Sequence, residues 1–298
     1  MYTEFGTIIT AAITPFASSG EVDHEEFRRL LRYLVDHGSD GVVVAGTTGE
    51  SPTLSDEEKL ACLRTAIDEI GDRASVLAGT GTNDTQHTVA LTRAAVEAGA
   101  DGVLVVTPYY NKPPREGLLR HFAAAARAAG DTPVMLYNVP SRVVVDLEPE
   151  LIAELAQIPN VVALKQAHPD LRELREIRAL APDLAIYAGD DTSLMPMLPE
   201  GIVGVVSVAS HVIGESMARV VELWNAGDET GARELGGRLE DVYETLGITT
   251  NPIPVKAAMH LLGFDVGSPR LPLVEASGLQ RERIRTMLER HELVTSHA

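Results

Sequence analysis

The chain has 298 residues, and 25 Lys and Arg against 43 Asp and Glu give a formal net charge of −18 with histidine neutral. Nucleic acid is held by cations that neutralise its phosphates, so this acidic surplus without a basic stripe argues against such a partner. With 45% hydrophobic and 23% charged residues, the composition is that of an ordinary globular protein and excludes the disordered and fibrous classes.

In chain order, the start MYTEFGTIIT carries Glu4 and no basic segment ahead of its apolar residues, so it does not read as a secretory signal. A first strand-like run covers 7–14, and a helix pattern follows Asp23. The run 41–46 leads into a second helix pattern after Ser55. Cys62, the single cysteine, lies in that helix as a buried or half-buried thiol and rules out an intrachain disulfide. Runs at 75–79 and 102–108 precede helix patterns that start at Thr85 and Arg115. Asp23, Ser55 and Thr85 read as N-caps, and Gly38, Gly71, Gly99 and Gly130 as stops. Further runs occupy 134–138, 161–165, 184–189 and 202–208. Gly201 to Gly214 is too short and too broken to span a bilayer, so the expectation is a soluble cytoplasmic protein. After the eighth run the chain is helical.

The eight runs are continuous rather than alternating, as expected of parallel strands covered on both faces. Eight such strands, each followed by a helix, predict a (β/α)8 TIM barrel over residues 1–225. Residues 226–298 read as a C-terminal helical extension packed on it. A doubly wound open sheet is the alternative, but Gly79-Thr80-Gly81 has Asp84 where a dinucleotide fingerprint needs its third glycine.

Active sites of such barrels lie at the carboxyl ends of the strands. The polar residues there are Thr47, Thr48 and Glu50; Asn83; Tyr109, Tyr110 and Asn111; Tyr137, Asn138, Ser141 and Arg142; Lys165; Asp190 and Asp191; and Ser207 and Ser210. Lys165 is one of only four lysines (59, 112, 165, 256) and closes the apolar run VVALK. Water-poor surroundings disfavour an ammonium and leave a nucleophilic amine, the requirement for Schiff-base chemistry on a ketone. The same position also suits a lysine satisfied by Asp190, Asp191 or Glu50 in an ion pair.

Tyr137 can carry a proton or serve as a core tyrosine with a satisfied hydroxyl. With Thr47, Thr48, Tyr109 and Tyr110 it could form a relay. Gly46 and Gly49 leave backbone N–H groups open to a carboxylate, or make only a tight loop. Arg142 offers a bidentate carboxylate grip or a plain surface cation. Asp190-Asp191 could hold Mg²⁺ or cap the following helix. No metal site is proposed, because the sequence has no HExxH and no cysteine pair, and its nine histidines are scattered.

The segments GTTGESPTLS (46–55), AGTGTN (78–83), VTPYYNKP (106–113), LYNVPSR (136–142), ALKQA (163–167), GDD (189–191) and NPIPVK (251–256) lie in order along the chain. Together they resemble the dihydrodipicolinate synthases (4-hydroxy-tetrahydrodipicolinate synthases), within the pyruvate-dependent class I aldolase superfamily that includes N-acetylneuraminate lyase. The similarity runs from about Gly6 to residues 270–272.

The resemblance implies that Lys165 forms an imine with pyruvate and that Tyr137 moves protons during its formation. It implies that Thr48 links Tyr137 to Tyr110, a tyrosine donated across a dimer interface of a homotetramer. Thr47 and Thr48 would hold the pyruvate carboxylate, Arg142 the carboxylate of aspartate 4-semialdehyde, and Gly189 and Val206 would line the site. The product would feed diaminopimelate and lysine synthesis, and no cofactor is implied beyond the covalent imine. Gln166 departs from the acidic residue common in the synthases, and a KQ pair also occurs in sialic acid lyases. A sugar-acid aldolase or lyase is therefore the alternative enzyme, and a catalytically silent binding barrel the alternative of another class. Regulated relatives carry a glutamate near His87 and histidines near Asp56 and Lys59; Asn83 and Tyr109 are kept here, so feedback by lysine is expected to be weak or absent.

Overall fold

The computed structural model describes residues 5–295. Glu4, used above against a secretory signal, lies outside the described residues. Eight parallel strands close into a barrel in chain order: β1 Ile8–Ala11, β2 Gly41–Val44, β3 Ser75–Gly79, β4 Gly102–Val106, β5 Val134–Asn138, β6 Val161–Gln166, β7 Ala185–Ala188 and β8 Gly204–Ser207. This is the predicted TIM barrel, not the open sheet. The first, second, fourth, seventh and eighth strands are shorter than the apolar runs that announced them. Ile13 and Thr107, beyond the ladders, stay fully buried, and their N–H groups bond His211 Nε2 and Tyr137 O instead of extending a ladder. β6 instead gains Gln166, which pairs in register with Asn138 and Ala188.

The helices are α1 His24–Asp36, α2 Asp56–Ile70, α3 Thr85–Glu97, α4 Arg115–Ala129, α5 Pro140–Val143, α6 Pro149–Leu155, α7 Leu171–Leu180, α8 Leu194–Met197 and α9 Ser210–Asn225. Asp23 caps α1, and Ser55 with Glu58 forms a capping box on α2. For α3 the cap is Asp84, whose carboxylate accepts from the Gln86 N–H, and Thr85 is already helical. A carboxylate is at least as good an acceptor as a hydroxyl at this position, and the Thr85 hydroxyl lies 2.9 Å from His121 Nδ1 instead. α4 begins after Pro114 without a side-chain cap. Gly38 follows α1 with φ +96°, and a Cβ there would stand 2.8 Å from the Glu215 backbone nitrogen, so only glycine fits.

Two apolar layers follow from strand alternation. Ile9, Val43, Leu77, Leu104, Met135, Ala163, Ala185 and Val206 fill the barrel. Ile8, Val42, Val76, Val103, Leu136, Leu164, Ile186 and Val205 face outward and pack beneath the helices. Beyond α9 come α10 Glu229–Leu246, α11 Ile253–Leu261 and α12 Gly278–Arg290. α10 buries Leu239, Val242, Tyr243 and Leu246, and its C-terminal end reaches the barrel mouth. Among the described residues no helix is long and apolar enough to cross a membrane.

Candidate active site

Lys165 sits one residue from the carboxyl end of β6, two beyond the inward-facing Ala163, so alternation turns its side chain into the barrel mouth. Its register neighbours are Tyr137 on β5 and Tyr187 on β7. It is only 6% exposed, and its Nζ lies 4.3 Å from the centre of the Tyr137 ring. The ion pair foreseen as an alternative is not formed among the described residues. Glu50 is taken by Lys256 at 2.7 Å. Asp191 accepts from the Ser207 hydroxyl and from the N–H groups of Val208 and Ala209. The Asp190 carboxylate accepts no hydrogen bond from a described residue, but it interacts with Lys165 through space.

A cavity of about 490 Å³ opens above Lys165, lined among others by Thr47, Thr48, Tyr137, Arg142, Gly189 and Asp190. A second cavity, about 460 Å³, shares Thr47, Tyr137 and Arg142 with it and extends toward Asp56, Lys59 and His87. The turn between β2 and α2 forms the shared wall. Its Glu50 N–H bonds Thr47 O and its Ser51 N–H bonds Gly46 O. Ala45 and Glu50 there adopt φ +54° and +57°, conformations that cost non-glycine residues about 1–3 kcal/mol each and cluster at functional sites. Thr48 is buried, and its Oγ1 accepts from Asn251 Nδ2 at 2.9 Å.

Arg142 is carried on α5 and lines both cavities, and no described carboxylate pairs with it. Thus Thr47, Thr48, Tyr137, Arg142, Lys165 and Gly189 are brought together around one space. Two of the residues singled out from sequence are not. Val206 is packed inside the barrel rather than on the cavity wall. Tyr110 has φ +74° and is 88% exposed, on neither cavity wall. The acidic pair after β7 does not cap the short helix that follows it: Asp190 makes no capping bond, and Asp191 instead holds the start of the β8–α9 connection.

Behind Lys165, Gln166 joins a polar network. Asn138 Nδ2 donates to Asp146 Oδ1 at 2.7 Å and to Gln166 Oε1 at 3.1 Å. Gln166 Nε2 donates to Glu173 at 2.9 Å, and His168 Nδ1 lies 2.8 Å from the other Glu173 oxygen. A glutamate at 166 would turn a carboxylate on Glu173, so the amide is what this network requires. Burial first, and Asp146 second, raise the Glu173 carboxyl. Asp146, His168 and Glu173 offer ligand atoms within 4.8 Å of one another, an arrangement invisible in sequence because it brings the α5–α6 connection against the start of α7. Cys62 is buried and its thiol is pushed up to about 12 by burial, which removes it as a nucleophile.

Among the residues of the cavity wall that sequence reasoning missed are Asn251 and Tyr243. Asn251 stood in a quoted motif, and a polar residue before Pro252 in a loop was its only signal. Tyr243 gave none, because its place depends on how α10 docks.

The chain matches the model of the dihydrodipicolinate synthetase family over residues 4–291. The 4-hydroxy-tetrahydrodipicolinate synthase of Synechococcus elongatus is 48% identical over 293 residues, covering 98% of each chain. The crystal structure of the dihydrodipicolinate synthase from Cyanidioschyzon merolae with lysine bound superposes with a TM-score of 0.96 at 41% identity, covering 98% of this chain and 100% of that one. The dihydrodipicolinate synthase of Bacillus anthracis gives a TM-score of 0.93 at 42% identity over 97% and 99% of the two chains.

Proposed function

The chain belongs to the dihydrodipicolinate synthetase family, and from that premise we propose that it condenses pyruvate with aspartate 4-semialdehyde through an imine on Lys165. It is a lyase of the class I aldolase type, and its product is 4-hydroxy-tetrahydrodipicolinate, on the route to diaminopimelate and lysine. The observation that carries the reading is Lys165 itself, enclosed in the mouth without a carboxylate partner and packed against Tyr137. An amine so placed is available to attack a ketone.

The Lys165 amine adds to C2 of pyruvate, and water leaves as the imine forms. Tyr137 supplies and removes protons there, with Thr48 passing them toward Tyr110 of a partner subunit. Thr47 and Thr48 receive the pyruvate carboxylate. Loss of a C3 proton gives the enamine, whose carbon attacks the aldehyde of the second substrate while Arg142 holds that substrate's carboxylate. The substrate nitrogen, after giving up a proton, then closes on the imine carbon; the bond to Lys165 breaks and the amine is restored. The covalent imine is the electron sink, so the steps as written call on no bound cofactor. Gly189 supports the reading as part of the wall, whereas Val206 contributes from beneath it. The exposure of Tyr110, off both cavity walls, supports as part of this reading a homotetramer built from dimers that exchange this residue. Residues 1–225 form the catalytic unit, and 226–298 the extension that closes one wall.

The test is a coupled assay with pyruvate and aspartate 4-semialdehyde, beside cleavage of N-acetylneuraminate and of 2-keto-3-deoxygluconate, with Lys165→Ala as blank. Condensation that vanishes in the variant is expected. Cleavage without condensation would move the chain to the lyases, and no activity with either would leave a binding barrel.

A further inference from the structure

Resting on the role proposed for Thr48, we infer that Asn251 is a positioning residue of the condensation: its amide fixes the direction in which the Thr48 hydroxyl donates its proton. Thr48 sits in the turn between β2 and α2, and Asn251 in the loop between α10 and α11. They are 203 positions apart, yet both line the cavity above Lys165, and Asn251 Nδ2 donates to Thr48 Oγ1 at 2.9 Å. Thr48 is only 2% exposed, so its hydroxyl bonds to what the wall and the cavity supply. A hydroxyl carries one proton and two lone pairs, and it turns to suit its partners. An amide N–H can only donate. The bond from Asn251 therefore fills one lone pair and keeps the Thr48 proton off that side. No described residue accepts this proton, which leaves it for the cavity, where the reading above puts Tyr137 and the pyruvate carboxylate. The second lone pair stays free to accept from another hydroxyl, as a relay through Thr48 requires.

The fold holds Asn251 in place for this. Glu50, in the same turn as Thr48, pairs with Lys256 in the first turn of α11 at 2.7 Å, and its carboxylate also accepts from the Arg270 N–H at 2.8 Å. The extension thus meets this turn twice, once through a buried ion pair and once through the amide of Asn251. The ion pair touches no group of the relay. The amide bonds one directly, so it is the point at which the extension enters the chemistry.

The test is a double-mutant cycle read in the coupled assay. Asn251→Asp keeps the shape of the side chain but, when ionised, offers acceptors only, so Thr48 turns its proton to the carboxylate and away from the cavity. The expected result is a kcat lowered about 10- to 100-fold, the scale of a misdirected proton transfer, with the KM for aspartate 4-semialdehyde unchanged. In a Thr48→Val background, which has no proton to misdirect, the same substitution should cost less than about 3-fold. An added charge or a loosened loop acts alike in both backgrounds, so equal losses overturn the inference. A wild-type kcat in Asn251→Asp overturns it too. A raised KM for the semialdehyde with kcat kept does the same, since Asn251 would then be a contact of that substrate. If Asn251→Asp has no cooperative melt, Asn251→Ala, which lets the hydroxyl rotate freely, carries the same cycle. Its expected loss is about 3- to 10-fold and is abolished by Thr48→Val; equal losses again sink the idea. Thr48→Val with wild-type kcat and KM for pyruvate defeats the role proposed for Thr48, and the inference falls with it, a pattern set apart because it appears before residue 251 is changed.

Discussion

Glu50 and Lys256, 206 positions apart in sequence, meet as a buried ion pair at 2.7 Å. Glu50 follows the Thr47-Thr48 turn, and Lys256 belongs to α11 of the extension. Glu50 also accepts from the Arg270 N–H at 2.8 Å, and Lys256 lies 4.2 Å over the Phe16 ring. The pair therefore ties the turn that lines the cavity to the C-terminal helices. Removing one partner leaves the other charge buried alone, which costs about 3–5 kcal/mol, whereas removing both is often tolerated. Lys256→Met should lower the unfolding free energy from denaturant melts by that amount and raise the KM for pyruvate. Glu50→Gln with Lys256→Met should regain most of the stability. A single variant as stable as wild type would show that the pair holds nothing.

Tyr110 is exposed at a left-handed position, away from its own cavity. If it is given to a neighbour, two dead variants should rescue each other. A hybrid of Tyr110→Phe and Lys165→Ala protomers contains one site with an intact Lys165 and an intact donated Tyr110. Co-expression should therefore restore up to about half of the wild-type activity per hybrid dimer, measured on tag-purified hybrids. Hybrids no more active than their parents would place Tyr110 in its own chain's site.

Much of this was legible in sequence for a physical reason. The strands are continuous apolar runs because both faces are covered, and several ended near a residue of the site. Lys165 could be placed in the mouth because it closes the apolar run VVALK at the carboxyl end of a strand. The pairings of Glu50 with Lys256 and of Thr48 with Asn251 could not be read, since both depend on where the extension lies against the barrel. The network of Asn138, Asp146, Gln166 and Glu173 was hidden because it depends on how β5, the α5–α6 connection, β6 and α7 meet within the barrel. Its meaning reverses a reading made from sequence: Gln166, a departure that favoured the lyases, is accounted for by the carboxylates around it.

Feedback by lysine is expected to be weak. The second cavity is lined by Asn83, Tyr109, His87 and Lys59, with Asp56 as its single acid. Burial raises that carboxyl, but His87 at 2.7 Å and Lys59 at 3.2 Å outweigh it and hold it below its ordinary range. An incoming ammonium would have to displace both. Initial rates should stay flat as lysine is titrated, and His87→Glu, which adds a carboxylate, should introduce inhibition. Strong saturable inhibition of the wild type would refute the expectation.

His211 should make stability fall on mild acidification. It is fully buried at the start of α9, where its Nε2 accepts from the Ile13 N–H at 3.2 Å, and Nδ1, 2.8 Å from Val208 O, donates to that carbonyl. That arrangement needs a neutral ring. Burial lowers its pKa from 6.5 to about 4. The unfolded chain therefore takes up a proton near pH 6.5 while the folded one does not. The histidine's contribution is full above that value and is lost as pH falls from about 6.5 to about 4, amounting to about 3 kcal/mol. Urea midpoints of wild type and His211→Gln, measured between pH 4 and 7, isolate it from the carboxylates that both proteins share. The variant is less stable at pH 7 but should show the shallower decline. Parallel curves would mean that His211 is protonated in the folded state, with its bond to Ile13 broken.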